Sequence, residues 1–476
     1  MNLTSTDYLN MLPLLLVGAG ILISLTVEMY SKKSEGVLSW FSFLLHLSAA
    51  YYSLYTVNNV SSLFGGMMAT GGTVNIFFFI FNFGAAIVVL LSMDYLKKAE
   101  IYFGEYYILL QSAVLGMMLM ASATDLVMVF IGLELMSICF YVLAGFQRKN
   151  VRSNEASLKY FLLGSFTTGF IVYGMALIYG SAGSLNIQSI YSMLSGESTP
   201  LLFYVGTLLF IIGFSFKIAA FPFHMWVPDV YQGAPTSVTA MMSTIGKAAA
   251  FSALLLIIYP FIGSKNPQTF SPVFTVLSAA SMIFGSIVAL AQTDIKRMLA
   301  YSSIAHAGYM LIGLAAANDT GASGIMFYLA AYAFMNLGAF GVVSLIEDKG
   351  NTEGTIESYA GLSDRNPLLA GLLALFMFTL SGLPPFAGFF GKYYVFIASL
   401  EAGNVWLAVL GALSSAVSAY FYLRIIVVMY FRKSDVSSEN VITESHTSLL
   451  GIVISAILVI MMGLAPGSIV RLINSF

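Results

Sequence analysis

Charged residues are scarce in this 476-residue chain: Asp, Glu, Lys and Arg make up 9% of it, against 59% hydrophobic residues. Soluble domains carry about a quarter charged residues, so this scarcity excludes an ordinary water-soluble protein. Cysteine is nearly absent, and the single Cys139, expected to fill the core, excludes an internal disulfide or a thiolate-held cluster made by this chain alone. The chain also lacks a glycine-rich phosphate loop, a metal-binding cluster and a histidine pair spaced for haem. Nucleotide or redox chemistry would therefore have to lie on other chains.

Long apolar runs fill the sequence instead, and the mean hydropathy is +0.88. A helix needs about 20 apolar residues to cross a membrane, and fourteen runs are long enough. We predict one all-α transmembrane domain over residues 1–476, with the first run retained because MNLTSTDYLNMLP lacks the basic start of a cleaved signal. The predicted spans, numbered 1 to 14, cover residues 8–30, 36–57, 74–96, 103–122, 125–146, 156–181, 201–230, 236–260, 271–292, 297–317, 321–346, 366–399, 404–431 and 447–472.

Prolines interrupt two of these spans. Pro222 lies inside span 7, and Pro384 and Pro385 lie inside span 12; proline removes a helix hydrogen bond and clashes with the preceding turn. The two breaks correspond if spans 4–8 (residues 101–262) and 9–13 (268–433) are five-helix repeats of opposite orientation, flanked by spans 1–3 (1–100) and span 14 (446–476). Paired interrupted helices in inverted repeats are typical of an ion site. Two unrelated proline kinks are the alternative.

Basic residues predict the orientation. Fourteen of the twenty fall at or near loops that follow odd-numbered spans, whereas Lys265 and Arg471 fall on the other side. The positive-inside rule then predicts that both termini face outward. The fourteen are Lys32, Lys33, Lys97, Lys98, Arg148, Lys149, Arg152, Lys296, Arg297, Lys349, Arg365, Arg424, Arg432 and Lys433.

The remaining four basic residues, Lys159, Lys217, Lys247 and Lys392, are intramembrane by this count. A charge at the bilayer centre costs about 2.5 to 3.5 kcal/mol on insertion scales, so such residues face a polar interior and mark ion paths. Lys217 and Lys247 flank the break at Pro222, where unwound backbone requires internal water.

Five segments carry a resemblance to a known family. They resemble the antiporter-like membrane subunits of respiratory complex I, and PDVYQGAP with a lysine twelve residues further on is more similar to subunit N, the counterpart of mitochondrial subunit 2, than to subunits L or M. Ser237 departs from the family, in which proline commonly follows GAPT. The segments are IGLELMSICFYVLAGF (131–146), NEASLKYFLLGSF (154–166), FKIAAFPFHMWVPDVYQGAPTSVTAMMSTIGKAAAF (216–251), QTDIKRMLAYSSIAHAGYM (292–310) and LSGLPPFAGFFGKYYVF (380–396).

The resemblance implies a proton-translocating subunit of NADH:quinone oxidoreductase in the inner (plasma) membrane, with both termini periplasmic. It implies no cofactor in this chain, FMN, iron–sulfur clusters and quinone in partner subunits, and subunits M, K and J as neighbours in the lipid bilayer, with no nucleic acid. Matching positions imply that Glu134, Lys217, Lys247 and Lys392 carry protons. Secondary relay positions are Lys159, His224, Lys296 and His306.

Residue chemistry supports these roles and leaves alternatives open. A nearby carboxylate raises the proton affinity of a buried lysine, so movement of Glu134 relative to Lys217 would load and unload a proton. A static Glu134–Lys217 ion pair is the alternative. Lys247 has no carboxylate in its own helix and suits a site that alternates between charged and neutral, unless it snorkels to an interface. Lys392 is either a carrier or a helix-end anchor.

The secondary positions also have two interpretations. His224 and His306 would relay protons through water. Alternatively, His224 would be a polar residue in the break whose hydrogen bonds are satisfied, and His306 would serve helix packing. Lys159 and Lys296 would relay protons or act as snorkelled anchors. Asp229 is expected to cap or pair at the cytoplasmic end of span 7.

Two further function classes remain open. A subunit of a multi-subunit sodium/proton antiporter or membrane-bound hydrogenase would share the broken helices and lysines. A structural spacer of the membrane arm would not be expected to keep buried lysines, because of their insertion cost.

Overall fold

The computed structural model describes residues 5–31, 33–194, 200–258, 269–347, 354–433 and 445–475. Lys32, Lys265 and Lys349, which enter the charge count, lie outside the described residues, as do the end of predicted span 8 at residue 260 and the repeat boundaries at 262 and 268.

Twelve helices among the described residues are long and apolar enough to cross a membrane. They coincide with spans 1–6, 8–11, 13 and 14, which confirms an all-α multi-pass membrane protein; fourteen crossings stay a prediction. The twelve helices are Leu12–Tyr30, Glu35–Tyr55, Gly72–Lys98, Glu105–Ser122, Leu126–Ala144, Val151–Ala182, Thr236–Ile257, Ser271–Leu290, Ile295–Ala316, Asp319–Ile346, Val405–Phe431 and His446–Leu464.

The two remaining spans are interrupted at the predicted places. Span 7 consists of helix Leu201–Lys217 and, after the Pro222 segment, helix Val227–Gly233. Span 12 consists of helix Pro367–Ser381 and, after Pro384 and Pro385, helix Ala387–Glu401. The proline chemistry therefore predicted both breaks. The inverted repeat stays a prediction.

Short elements connect the spans. Two antiparallel strands, Ser61–Leu63 and Met68–Thr70, form a hairpin between spans 2 and 3. The short helices are Ser5–Asn10, Ile187–Leu194, the 3-10 helix Ile356–Tyr359, Leu362–Arg365 and Pro466–Asn474.

Polar side chains begin several of the long helices. Asp125, Asn150, Asp294, Asn318 and Asn366 each accept a hydrogen bond from a backbone N–H in the first turn of the helix that follows. Such caps satisfy donors that have no partner within the helix. They fix where spans 5, 6, 10, 11 and 12 enter the bundle.

Span 8 changes its winding near Lys247. It runs as α-helix over Thr236–Met241, as π-helix over Met242–Gly246, as α-helix over Lys247–Ala253 and as π-helix over Leu254–Ile258. Single π-turns inside α-helices occur frequently at functional sites. Lys247 therefore directly follows an irregular turn.

Spans 8 and 10 form the centre of the bundle. Within their most apolar windows 94% of residues are buried, against 28% for span 1 at the periphery. Span 11 packs against both of them. The side of the bundle at which Lys98 ends span 3 and Arg297 begins span 10 is called the basic side below.

Candidate functional site

Three of the intramembrane lysines share the same kind of surroundings. Lys217, Lys247 and Lys392 are 6%, 2% and 4% exposed. Each donates to the hydroxyl of a serine on a different span and lies over the ring of a tyrosine. The sequence around the three lysines does not predict this common arrangement.

Lys217 is the last residue of the first half of span 7. Its Nζ donates to Ser137 Oγ of span 5 at 2.7 Å and to the Tyr141 hydroxyl at 3.4 Å. It lies 5.6 Å from the centroid of the Tyr141 ring. The helix therefore ends, just before the break at Pro222, with its last residue Lys217 buried against span 5 rather than facing lipid.

Lys247 follows the π-turn of span 8 and contacts span 10. Its Nζ donates to the Ser303 carbonyl oxygen at 2.6 Å and to Ser303 Oγ at 2.5 Å. The Tyr332 ring of span 11 lies 5.7 Å away. The side chain is thus held inside the bundle, which excludes snorkelling to an interface.

Lys392 lies in the second half of span 12 and reaches back to the end of the first half. Its Nζ donates to the Ser381 carbonyl oxygen at 2.9 Å and to Ser415 Oγ of span 13 at 2.7 Å. Carbonyls at a helix C-terminus carry partial negative charge, so the break itself supplies part of the lysine's surroundings. Lys392 is buried and bonded to the last residue of the first half-helix, so both the carrier and the helix-end anchor interpretation stay open.

Within the described residues, no carboxylate oxygen lies within 4.0 Å of any of these three lysine nitrogens. The direct ion pair expected as an alternative for Glu134 and Lys217 is therefore absent. Glu134 is half-buried and accepts a hydrogen bond from Thr168 at 2.8 Å, while Ser137, one turn further along span 5, holds Lys217. Contact through a single water stays a prediction.

His306 joins the surroundings of Lys247 to those of Lys392. Its Nδ1 and Nε2 lie 2.8 Å from the Tyr328 hydroxyl and 3.0 Å from the Tyr422 hydroxyl. Its ring lies 4.9 Å from that of Tyr332, beside Lys247, and 5.8 Å from that of Tyr309. The Tyr309 ring in turn lies 4.9 Å from Lys392 Nζ. A series of ring contacts therefore connects Lys247 to Lys392 through Tyr332, His306 and Tyr309.

His224 lies in the break of span 7, buried against aromatic rings. Its ring lies 5.3 Å from Phe221 and 4.6 Å from Phe284. Its Nδ1 is buried and has no hydrogen-bond partner among the described groups. The structure thus leaves both interpretations of His224 in place.

Lys159 belongs to a charged group on the basic side. Its Nζ lies 2.6 Å from Glu155 and 2.7 Å from Asp229, and the side chain is 41% exposed. Asp229 also binds Arg297 at 2.7 Å. This placement matches the anchor alternative for Lys159, and it confirms that Asp229 pairs at this end of span 7.

Lys296 is buried nearby, with partners of its own. Its Nζ donates to the Ala234 carbonyl oxygen at 3.0 Å and lies 3.7 Å from a carboxylate oxygen of Glu347. Glu347, just past the end of span 11, also accepts from the Thr236 hydroxyl. Lys296 is therefore an interior residue and not a snorkelled anchor.

Sequence reasoning missed the serines and tyrosines that surround the lysines. A serine in an apolar run gives no periodic signal, and tyrosine is common among packed aromatic residues. The weak signal available was Tyr309, which lies one turn after His306 and so on the same helix face. The residues missed are Ser137, Ser303, Ser415, Tyr141, Tyr309, Tyr328, Tyr332, Tyr422 and Glu347.

The arrangement suits proton transfer better than metal binding. In the part of the chain that the structure describes, no group of three or more His, Cys, Asp or Glu side chains could hold a metal ion. A hydroxyl can accept from an ammonium group and donate to a neutral amine. Each lysine therefore has a partner in either charge state.

Comparisons with known proteins place these residues in a family context. The pattern of the family described as "NADH:quinone oxidoreductase/Mrp antiporter, TM" matches residues 123–418. NADH-quinone oxidoreductase subunit N of Trichlorobacter lovleyi is 44% identical, over 95% of this chain and 93% of that protein.

Solved structures agree with the family match. A chain of respiratory complex I from Thermus thermophilus, solved with bound aureothin, superposes with a TM-score of 0.83 at 33% identity, over 96% of this chain and 98% of that one. A chain of an archaeal membrane-bound sulfane sulfur reductase superposes with a TM-score of 0.86 at 25% identity, over 98% and 96%.

Proposed function

Because the chain belongs to the NADH:quinone oxidoreductase/Mrp antiporter membrane family, we propose that it moves protons across the membrane as the subunit N component of a proton-pumping NADH-quinone oxidoreductase. The electrons would pass through other subunits. Glu134, Lys217, Lys247 and Lys392 would carry the protons.

One observation carries this proposal: each of three buried lysines has a serine hydroxyl as a partner. Within the described residues, no carboxylate oxygen lies within 4.0 Å of their nitrogens. A buried ion pair with a close carboxylate would hold each lysine charged. Hydroxyl partners accept from the ammonium form and donate to the amine form. Both charge states therefore find hydrogen bonds, as a group that repeatedly takes up and releases a proton requires.

The contacts suggest a role for each residue along the line. Glu134, beside Lys217 but bonded to Thr168, would approach or leave Lys217 and so change its charge state. Lys247 would exchange its proton with Lys392 through His306 and the surrounding tyrosine hydroxyls. Lys392 would release it near the break of span 12.

The other function classes receive less support. A sodium/proton antiporter subunit would share these lysines, so the comparison of sequences, and not the lysines, separates it from complex I. A structural spacer would be more stable with apolar residues in place of the lysines. The relatives described above that belong to complex I also share more sequence with this chain than the sulfane sulfur reductase does.

The surroundings of the chain follow as further proposals. The basic side would face the cytoplasm, with both termini periplasmic, in the bacterial plasma membrane. Subunits M, K and J would be neighbours in the membrane arm. FMN, iron–sulfur clusters and quinone would be bound by partner subunits. Spans 4–8 and 9–13 would form the inverted repeat.

The test is substitution of Lys247 in the assembled complex. Lys247→Ala should abolish most quinone-linked turnover and proton flux together, while native gels show normal assembly, because alanine is well tolerated in a helix. Lys247→Arg should not restore flux, since arginine stays protonated and cannot release a proton. Lys97→Ala removes an exposed lysine on the basic side and is the matched control. Normal flux in Lys247→Ala, or equal activity in Lys247→Arg, would refute proton transfer through this residue.

A further inference from the structure

Spans 8 and 11 present polar residues to each other between Lys247 and the basic side. On span 8, Thr236 and Ser243 each hydrogen-bond to a residue of span 11 or of its end, and Lys247 follows the π-turn that contains Ser243. On span 11, Tyr332 and Asn336 are four residues apart, and Glu347 follows eleven residues, or about three turns, later. The two faces meet along one line through the bundle.

Hydrogen bonds join the two faces next to Lys247. Asn336 Nδ2 donates to Ser243 Oγ at 3.0 Å and to the Tyr332 hydroxyl at 3.1 Å. Asn336 is fully buried, yet its Oδ1 has no hydrogen-bond donor among the described groups. Buried polar atoms are almost always satisfied by protein or bound water, and an amide oxygen beside two hydroxyls suits a water molecule.

Glu347 joins the same two spans at the basic side. Its carboxylate accepts from the hydroxyl of Thr236, the first residue of span 8, and its backbone oxygen accepts from Lys98 Nζ at 2.6 Å. Its side chain is 26% exposed, whereas that of the neighbouring Lys296 is 7% exposed. Glu347 therefore reaches solvent while it contacts the span that carries Lys247.

Glu347 lies within ion-pair range of Lys296 but not at hydrogen-bond distance. The 3.7 Å between its carboxylate and Lys296 Nζ exceeds a normal hydrogen-bond length of about 2.7 to 3.2 Å, and Lys296 donates to the Ala234 carbonyl oxygen instead. Asp229, at the same end of the bundle, offers a contrast: its two carboxylate oxygens each lie 2.7 Å from a cation, on Lys159 and Arg297. Glu347 thus has a hydroxyl as its near partner and a cation at a longer distance, whereas Asp229 has two cations at hydrogen-bond distance.

We infer that Glu347 takes up protons from the basic side and delivers them to Lys247 along the faces shared by spans 8 and 11. The inference rests on the proposed function. The carboxylate of Glu347 accepts a proton from solvent and passes it to bound water. Water held at Asn336, Ser243 and Tyr332 then gives a proton to the neutral amine of Lys247, which becomes an ammonium group, and Glu347 returns to a carboxylate. The route follows span 8 over the eleven residues from Thr236 to Lys247.

The experiment measures proton flux and quinone-linked turnover of the assembled complex in membrane vesicles. Glu347→Gln keeps the size of the side chain and its acceptor for Thr236 but cannot exchange a proton. It should lower both activities roughly tenfold or more, as loss of a proton-transferring group does, and Glu347→Asp should restore part of the loss. Glu357→Gln is the matched control, because Glu357 is exposed, lies on the basic side and pairs with Arg432.

A second variant tests the inner part of the route. Asn336→Leu is similar in size and removes the polar group near Lys247, so it should also lower flux, while assembly on native gels stays normal. Wild-type flux in Glu347→Gln together with blocked flux in Lys247→Ala would overturn the inference and leave the proposed function intact. Wild-type flux in both would refute both. Failure to assemble in Glu347→Gln but not in Glu357→Gln would show a structural role for Glu347 and would also overturn the inference.

Discussion

Gly132→Ala is expected to damage the contact on which the position of Glu134 and Ser137 depends. Spans 4 and 5 cross at Gly116 and Gly132. A Cβ built on Gly132 would lie 2.5 Å from the Met120 backbone nitrogen and 2.6 Å from the Gly116 carbonyl oxygen. Both atoms belong to backbone, so no side-chain rotation can relieve the clash, and small residues are what permit such close helix packing in membranes.

The size of the effect follows from this geometry. An ordinary contact needs at least 3.4 Å, so the two helices must separate by about 0.9 Å. Overpacking of this kind costs about 1 to 3 kcal/mol, and a rigid backbone contact belongs at the upper end of that range. Alanine regains about 1 kcal/mol in helix propensity over glycine. A net destabilisation of about 2 kcal/mol remains, with Ser137 displaced relative to Lys217.

The assay is heat treatment of the purified complex, followed by native gels and by measurement of proton flux in the surviving fraction. Gly132→Ala should lose assembly at a lower temperature than wild type and show reduced flux before assembly is lost. Gly18→Ala is the control, because no atom lies within 4 Å of a Cβ at Gly18. If Gly132→Ala is as stable and as active as Gly18→Ala, the close contact of spans 4 and 5 does not position the site.

Two further variants test the surroundings of Lys217 and Lys392. Ser137→Ala removes the hydroxyl that holds Lys217 and should lower proton flux several-fold with normal assembly. Ser112→Ala is the control, because the Ser112 hydroxyl bonds only within its own helix at 2.8 Å, and it should leave flux unchanged. Equal flux in the two variants would contradict a role for Ser137. Gly382→Ala places a Cβ 3.0 Å from Lys392 Nζ at a φ of +85°, and should reduce flux more than Gly403→Ala, which has a similar φ of +77° but open space around it. Equal losses of flux in both glycine variants would mean that backbone strain alone, and not the displaced lysine, explains the effect.

The parts of the fold that a single residue type dictates could be predicted from the sequence. Apolar runs of membrane length predicted the twelve long helices, because a single apolar segment in lipid can satisfy its backbone hydrogen bonds only as a helix. Pro222 and Pro385 gave the breaks, since proline cannot continue the hydrogen-bond ladder. The buried positions of Lys217, Lys247 and Lys392 followed from the cost of charge in lipid.

The partners of those lysines could not be predicted, because they depend on which helices meet. Ser137 is 80 residues from Lys217 in sequence, and Ser303 is 56 residues from Lys247. No local pattern links residues so far apart. The static ion pair of Glu134 and Lys217, which was the alternative interpretation, is absent because span 5 presents Ser137 to the lysine and Glu134 to Thr168.

Lys159 and Lys296 show most clearly why residue type and depth do not decide a role. Both were placed near the basic side and given the same two interpretations. In the structure Lys159 is 41% exposed and bound to two carboxylates, whereas Lys296 is buried and donates to a backbone carbonyl. Two carboxylates at hydrogen-bond distance suit an anchor, whereas the nearest partner of Lys296 is a backbone carbonyl and its one carboxylate lies 3.7 Å away. The same difference separates Asp229 from Glu347. On this side of the bundle, therefore, the distance to the opposite charge distinguishes Lys159 and Asp229, at 2.7 Å, from Lys296 and Glu347, at 3.7 Å, which residue type alone does not.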